Sequence, residues 1–327
     1  EFSVVNGWER LDYIKPAPDF HPTLSFDFDE AFDIVAAEVR AVATNVGLTE
    51  VNGFNRIEIT GADRHAFLDR MVCGKVPQRA GRVGLAYLLN PHGRIKCEAT
   101  LANLPASDRG PERLWYGSAA ASETHDMDWL SAHLNPGEDV QLRSLTNDQT
   151  ILVLAGPNAR AVLSACARGD WSAPAFPWLS VRESFIGFAP ATVMGVSFSG
   201  ELAYEIHVPN RALYAAYQAL MAAGAPFGIM LFGARAIDSM RMEKGFLHWK
   251  SDLITEFDPF ETGLSRFVTL TKGEFIGKAA LLVRQSAGPR KRLVTLDIDT
   301  RRAPAHGGAS VMQGPDVVGT VTSGDFG

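Results

Sequence analysis

Residues 198–250, FSGELAYEIHVPNRALYAAYQALMAAGAPFGIMLFGARAIDSMRMEKGFLHWK, decide how the chain is read. Ala203, Tyr204, Glu205, Ile206, His207 and Val208 alternate as a strand does. An apolar helix follows, then a break at Gly224, Pro226 and Gly228, then a second helix carrying Arg235, Asp238, Arg241 and Glu243. A carboxylate on a strand and an arginine at a helix start are what a polar heterocycle with an acidic tail requires. A structural layer of ion pairs fits the same pattern, because such networks are common.

Working outward, 327 residues suffice for a sizeable core and two or three domains. A composition 46% hydrophobic and 21% charged is that of a globular protein. The net charge of -6 argues against an electrostatic footprint for nucleic acid, and the short run Arg290, Lys291, Arg292 reads as a solvated strand entry. Cys73, Cys97 and Cys166 are too scattered for a disulfide framework or a zinc site and read as reduced thiols. The uncharged run 212–234 has the length of a membrane span, but its glycines and proline divide it into helix, turn and helix. No signal peptide is visible, no initiator Met is present, and the chain stops at Gly327 just after a strand-like run. We therefore expect a fragment of a longer polypeptide.

Residues 1–30 read as an extended lead-in, and residues 29–43 as a helix with Phe32, Val35, Ala36, Val39 and Val42 at helical spacing. Next come a strand at 56–60, Gly61, and a helix at 62–72. This unit has a weak echo: ITGADRHAFLDRM (59–71) and LAGPNARAVLSAC (154–166) both read strand, glycine, helix. The echo fits either any strand-to-helix turn or a two-lobed domain with related halves. Strands are expected at 85–89, 94–104, 114–117, 141–145, 150–154, 181–185 and 191–198, with a helix at 119–133, which indicates an α+β class. After a short strand from Phe267 and a helix, the runs LVTLDID (293–299), ASVM (309–312) and VVGTVTSG (317–324) read as the opening strands of a small all-β domain.

Within 94–104, alternation puts Ile95, Cys97, Ala99 and Leu101 on one face and Arg94, Lys96, Glu98 and Thr100 on the other. Glu98 is then either a solvated glutamate beside a lysine or a placed carboxylate. Glu205 is either a surface residue of an edge strand or an acceptor for two adjacent N–H donors. Arg241 with Glu243 reads as a charge pair, and Trp249 and His248 as packing and rim residues. His125 and His133 are too far apart for one helix turn to hold a metal, and there is no GxGxxG dinucleotide fingerprint.

Segment 198–250 resembles the folate-binding aminomethyltransferase family of the glycine-cleavage T-protein, whose motifs run GYTGExGYE and GxxARDxxRxExG. The runs RMEKGFLHWKSDLITEFDPFETGLSRF and KGEFIGKAALL, with the lead-in NGWERLDY, resemble the C-terminal folate domain of dimethylglycine and sarcosine dehydrogenases. That resemblance implies an extended lead-in and first helix at 1–45, a two-lobed folate-binding domain at 46–285, and the start of a truncated C-terminal β-barrel at 286–327. It implies tetrahydrofolate as cofactor, with FAD confined to an upstream domain absent here. Glu98 stands where the family's GGxxDD segment ends in a carboxylate that activates the folate amine. Such a group takes the proton released when a nitrogen attacks an iminium or formaldehyde carbon. Glu205 falls on the pterin-binding glutamate and Arg235 on a ligand-contacting arginine. Phe198 replaces a tyrosine of GYTG, and Leu85 an aromatic residue for which Tyr87, expected on the same face, compensates.

The implied activity is capture of the one-carbon unit from oxidative N-demethylation of dimethylglycine or sarcosine, forming 5,10-methylenetetrahydrofolate. The implied partners are tetrahydrofolate, the iminium or formaldehyde, and a covalently continuous FAD domain, with no nucleic acid or membrane. The implied compartment is the cytoplasm, or the mitochondrial matrix in a eukaryote. The alternatives are a free-standing glycine-cleavage aminomethyltransferase or folate-dependent demethylase, and a non-catalytic folate-binding protein. The iron–sulfur-assembly homologues of the last kind carry a cysteine where KGEFIG has Glu274.

Overall fold

The strand, glycine and helix unit that echoes in the sequence is repeated in the computed structural model. It describes every residue except Asn6, Leu24, Phe26, Arg301, Phe326 and Gly327, so the last two positions of the expected C-terminal unit lie outside the described residues. The chain opens with strands β1 (Phe2–Val5) and β2 (Trp8–Leu11), helix α1 (Ala31–Thr44) and β3 (Gly47–Glu50). The first half contains β4 (Ile57–Thr60), α2 (Arg64–Met71), β5 (Arg82–Leu89), β6 (Ile95–Leu104), β7 (Arg113–Gly117), α3 (Glu123–Ala132) and β8 (Gln141–Ser144). The second contains β9 (Gln149–Ala155), α4 (Ala159–Cys166), β10 (Val181–Ile186), β11 (Ala189–Met194), β12 (Ala203–Pro209), α5 (Leu213–Gly224) and β13 (Met230–Leu231). Helices α6 (Ala234–Glu243) and α7 (Lys278–Ala287) and strands β14 (Ser310–Gln313) and β15 (Asp316–Thr320) follow.

The first sheet runs β5-β6-β7-β4-β8 and the second β10-β11-β12-β9-β3-β13. Matching β4 with β9, β5 with β10, β6 with β11 and β7 with β12 gives one order for both, so the molecule is an α+β protein with two related halves. Each half is amphipathic in the same way. Ile57, Phe67, Leu88, Leu101 and Leu130 join the first sheet to α2 and α3, while Leu154, Val162, Ile206 and Leu220 join the second to α4 and α5. The opposite faces of the sheets meet through Val83, Ala102, Leu104 and Trp115 on one side and Val181 and Met194 on the other.

The turn between strand and helix shows why glycine recurs. Gly61 and Gly156 have φ of +104° and +122°, and a Cβ on Gly156 would lie 2.5 Å from the Val42 carbonyl oxygen. Gly156→Ala is therefore expected to cost more than about 2 kcal/mol of stability, a shift of the urea unfolding midpoint with an unchanged slope.

Around the repeats, α1 packs Val35 and Val42 with Tyr13, Phe232 and Ala236. Its buried Glu38 accepts the amides of Ile14 at 2.7 Å and Gly233 at 2.9 Å, tying the lead-in to the start of α6. Burial raises the Glu38 pKa.

Several expectations need correction. The lead-in is not merely extended, since β1 and β2 pair antiparallel from Phe2↔Leu11 to Val5↔Trp8. The short strand expected from Phe267 is a turn of 3-10 helix, Ser265–Phe267. The run 293–299 alternates like a strand but finds no partner strand among the described residues, leaving Val294, Leu296 and Ile298 exposed. Of the opening strands expected for a small β domain, β14 and β15 form a two-stranded hairpin, and no closed barrel stands among the described residues. The break at Gly224, Pro226 and Gly228 holds: a 3-10 turn, Ala225–Phe227, ends on Gly228 at φ 66°. No helix among the described residues is long and apolar enough to cross a membrane.

Candidate functional site

Both candidate carboxylates lie on the faces the two sheets turn toward each other. On β6, Glu98 shares its face with Thr100, Ala102 and Leu104, and the last two pack in the seam between the sheets. On β12, Glu205 pairs with Met194 of β11, which packs in the same seam. His207, two residues on, meets the Trp115 ring of the first sheet edge to face at 4.8 Å.

A β-bulge shapes the surroundings of Glu98. The register of β5 against β6 shifts between Leu88 and Leu89, which pair with Cys97 and Ile95. One extra residue reverses the facing of what precedes it. Ile95 therefore joins Tyr87 and Leu89, and Lys96 turns to α3, 2.7 Å from His125 Nε2 and over the Trp129 ring at 4.0 Å. The simple alternation expected for 94–104 thus holds only from Cys97 onward. The solvated pair of Glu98 with Lys96 is absent, and Glu98 has lost its cation. It accepts a hydrogen bond from Tyr87 Oη at 2.7 Å. Burial pushes its pKa up to about 7, with the Tyr87 bond pulling the other way.

Tyr87 itself is almost wholly buried, with its ring tilted against Phe267 at 5.4 Å. Its hydroxyl serves Glu98 as a hydrogen-bond donor. Leu85, two residues back on the same face, is 36% exposed.

Strand β12 is interior, between β11 and β9, so Glu205 is not on an edge. Its side chain is 24% exposed, and its Oε2 lies 3.3 Å from His207 Nε2. His207 is buried, which lowers its pKa and keeps the imidazole neutral. Near it on the first sheet's inner face is Arg56, also fully buried. Its guanidinium donates to the Thr146 carbonyl at 2.9 Å. Desolvation lowers the Arg56 pKa to about 10, and the charge of Glu205, ahead of Glu123 and Glu50, works against that shift. Sequence reasoning missed both His207 and Arg56. The first was legible as the i+2 neighbour of Glu205 on one strand face.

The remaining candidates sit farther out. Arg235 lies in the first turn of α6, where its guanidinium faces Asp29 at 3.5 Å and covers the Tyr13 ring at 5.7 Å. Phe198 packs toward His248, ring centroids 6.2 Å apart. Arg241 does not pair with Glu243. Its partners are Asp238 at 3.3 Å and the buried Asp252 at 3.0 Å, and it also donates to Ser323 Oγ, anchoring the C-terminal segment. Neither of two surface hollows, one beside α7 and one around 23–30, includes Glu98 or Glu205. In the first, Arg94 and Arg284 are paired with Glu261 and Asp258. Among the described residues no group of three or more His, Cys, Asp or Glu is arranged to hold a metal.

The inner-face site can thus offer one carboxylate near neutrality for proton transfer, a second with lone pairs for paired donors beside His207, and exposed apolar surface at Leu85. Residues 1–272 match the family model of the GCVT N-terminal domain. The mitochondrial dimethylglycine dehydrogenase of Mus musculus is 32% identical over 323 residues, 98% of this chain and 36% of that protein. An aminomethyltransferase of Bacillus licheniformis is 28% identical over 296 residues, 90% of this chain and 79% of that one. The fold superposes with a TM-score of 0.80 on the crystal structure of glycine cleavage system aminomethyltransferase T from Bartonella henselae, at 23% identity and covering 100% of this chain and 82% of that one. The chain therefore spans about a third of the length of the dehydrogenase it matches.

Proposed function

The chain belongs to the GCVT N-terminal domain family, and from that premise we propose that it transfers a one-carbon unit to tetrahydrofolate. The unit is the methylene of an iminium, or formaldehyde, released when dimethylglycine or sarcosine is oxidised on a flavin elsewhere in the same polypeptide. The product is 5,10-methylenetetrahydrofolate. The observation that carries this reading is the placement of Glu98 and Glu205 on the faces that the two sheets turn toward each other.

The residues present fit the ligand. Glu205 has lone pairs free for an N–H and amino pair, and Leu85 supplies apolar surface for a ring face. Tetrahydrofolate supplies the amine nitrogens that take up the carbon. Glu98 accepts the proton shed by the attacking nitrogen and, once protonated, returns it to the departing amine or hydroxyl. A pKa of about 7 suits both directions at neutral pH. Tyr87 holds the carboxylate in line and favours its charged form. Phe198 and Arg235 are assigned to the outer part of the ligand, Arg235 through the acidic tail once it leaves Asp29. Tyr87 is assigned to Glu98.

The free-standing aminomethyltransferase reading is favoured by the share of the Bacillus licheniformis protein that this chain covers. A flavin-binding segment upstream in the full-length sequence would exclude it. The compartment is proposed to be the mitochondrial matrix in a eukaryote and the cytoplasm in a bacterium.

Calorimetry with tetrahydrofolate, run beside an assay for formaldehyde trapped during demethylation, tests the proposal. Binding with trapping supports it, binding alone leaves a folate-binding protein, and no binding ends it. Tyr87→Phe adds a sharper check. The base works deprotonated, so kcat/KM rises with pH through the Glu98 pKa. Deleting the bond that lowers this pKa moves the rising limb toward higher pH by about one unit. A limb that stays in place removes Tyr87 from the site.

A further inference from the structure

The surroundings of Glu205 hold two groups the proposed chemistry does not yet use. His207 is 1% exposed, and its Nδ1 has no hydrogen-bond partner among the described residues. Arg56 is fully buried and its Nε is likewise unpartnered. Such groups are costly to bury, a charge more so than an unmet polar atom, and their presence here needs a reason.

We propose that His207 is the positioning residue of Glu205: it fixes the carboxylate by a hydrogen bond from the same strand face. In this role neutral His207 carries its proton on Nε2 and donates it to Glu205 Oε2, 3.3 Å away. A carboxylate has about four acceptor positions, so this bond leaves both oxygens able to take a ligand's paired donors. Trp115 seats the imidazole edge to face, and Gly117 leaves room for that indole, since a side chain there would overlap it. Arg56 enters from the inner face of the first sheet, with its backbone fixed by Thr146 Oγ1 at 3.0 Å and its guanidinium by the Thr146 carbonyl. Glu205 is then held by His207 of its own strand, which is itself seated against Trp115 of the other sheet. His207 acts on the carboxylate that grips the ligand and not on the reacting nitrogen, so it sets recognition, not proton transfer.

This inference rests on the folate reading only for the identity of the ligand, and the test separates the two. In the full-length protein, His207→Phe keeps the ring against Trp115 and deletes the donor, while His207→Gln restores an N–H. His207→Phe is expected to weaken tetrahydrofolate binding about tenfold, with the loss falling on KM more than on kcat and His207→Gln recovering most of it. In a Glu205→Gln background the same change is expected to cost less than twofold. Nitrogen-15 histidine spectra, assigned by the signal lost in His207→Phe, are expected to show the neutral Nε2–H form with no ligand present. Wild-type folate affinity in His207→Phe, or an Nδ1–H form in the spectra, overturns the proposal. If the wild type binds no folate, the folate reading fails and the spectra alone decide whether His207 holds Glu205.

Discussion

Glu98→Gln is expected to lower the rate of one-carbon transfer by about 100-fold or more, the usual worth of a placed general base, while tetrahydrofolate affinity stays within about threefold. The amide keeps the volume and a hydrogen-bonding head, so Tyr87 retains an acceptor and β6 its packing. What is lost is the ability to take a proton. The residual rate of the variant should be flat from about pH 6 to 9, because it no longer depends on the missing group. The wild type, in contrast, gains activity as Glu98 ionises near 7. Stability moves little and in a known direction. A glutamate whose folded pKa lies above its unfolded value holds its proton more tightly when folded, so wild-type stability falls as pH rises from the unfolded value through about 7. The amide variant lacks that fall and is expected to be the more stable of the two above neutrality. Single-turnover transfer of labelled formaldehyde, measured beside calorimetric affinity, checks both halves. A Glu98→Gln variant that turns over normally takes this carboxylate out of the chemistry.

How far this site could be read from the chain depends on the reach of each signal. The strand, glycine and helix echo was legible because it is local: Gly61 and Gly156 are required by the turn itself. The related halves follow from it, and the paired sheets bear it out. The bulge at Lys96 was not legible, because it is a property of the register between Leu88 and Leu89 of one strand and the facing residues of another. Missing it gave Glu98 a lysine neighbour it does not have, and hence the wrong electrostatics. The partner of Arg241 was missed for the same reason. Glu243 is close in sequence, but Asp252 reaches the guanidinium from a loop and shares it with the C-terminal segment. Run 293–299 shows the limit from the other side, since alternation predicts a strand only where a neighbour exists to pair with it. Arg56 had no local signature, because the groups that fix it, Thr146 Oγ1 and the Thr146 carbonyl, lie far along the chain.

Glu205→Gln is expected to weaken tetrahydrofolate binding by about 100-fold, since a charge-assisted hydrogen bond is worth about 1.5–3 kcal/mol and each 1.4 kcal/mol is tenfold. The amide keeps one acceptor but turns an NH2 toward the second donor of the ligand, so one good bond becomes a clash of like groups. The effect does not end at the ligand. Arg56 would keep its buried charge with the foremost of the charges that oppose its desolvation gone. The variant should therefore also lose stability, unlike Glu98→Gln, even though Glu205 is the less buried of the two. Adding Arg56→Met to Glu205→Gln separates the two effects: it removes the stranded charge and should recover stability without recovering folate affinity. Recovery of both would mean that Glu205 serves the fold alone and that the ligand's paired donors are met elsewhere.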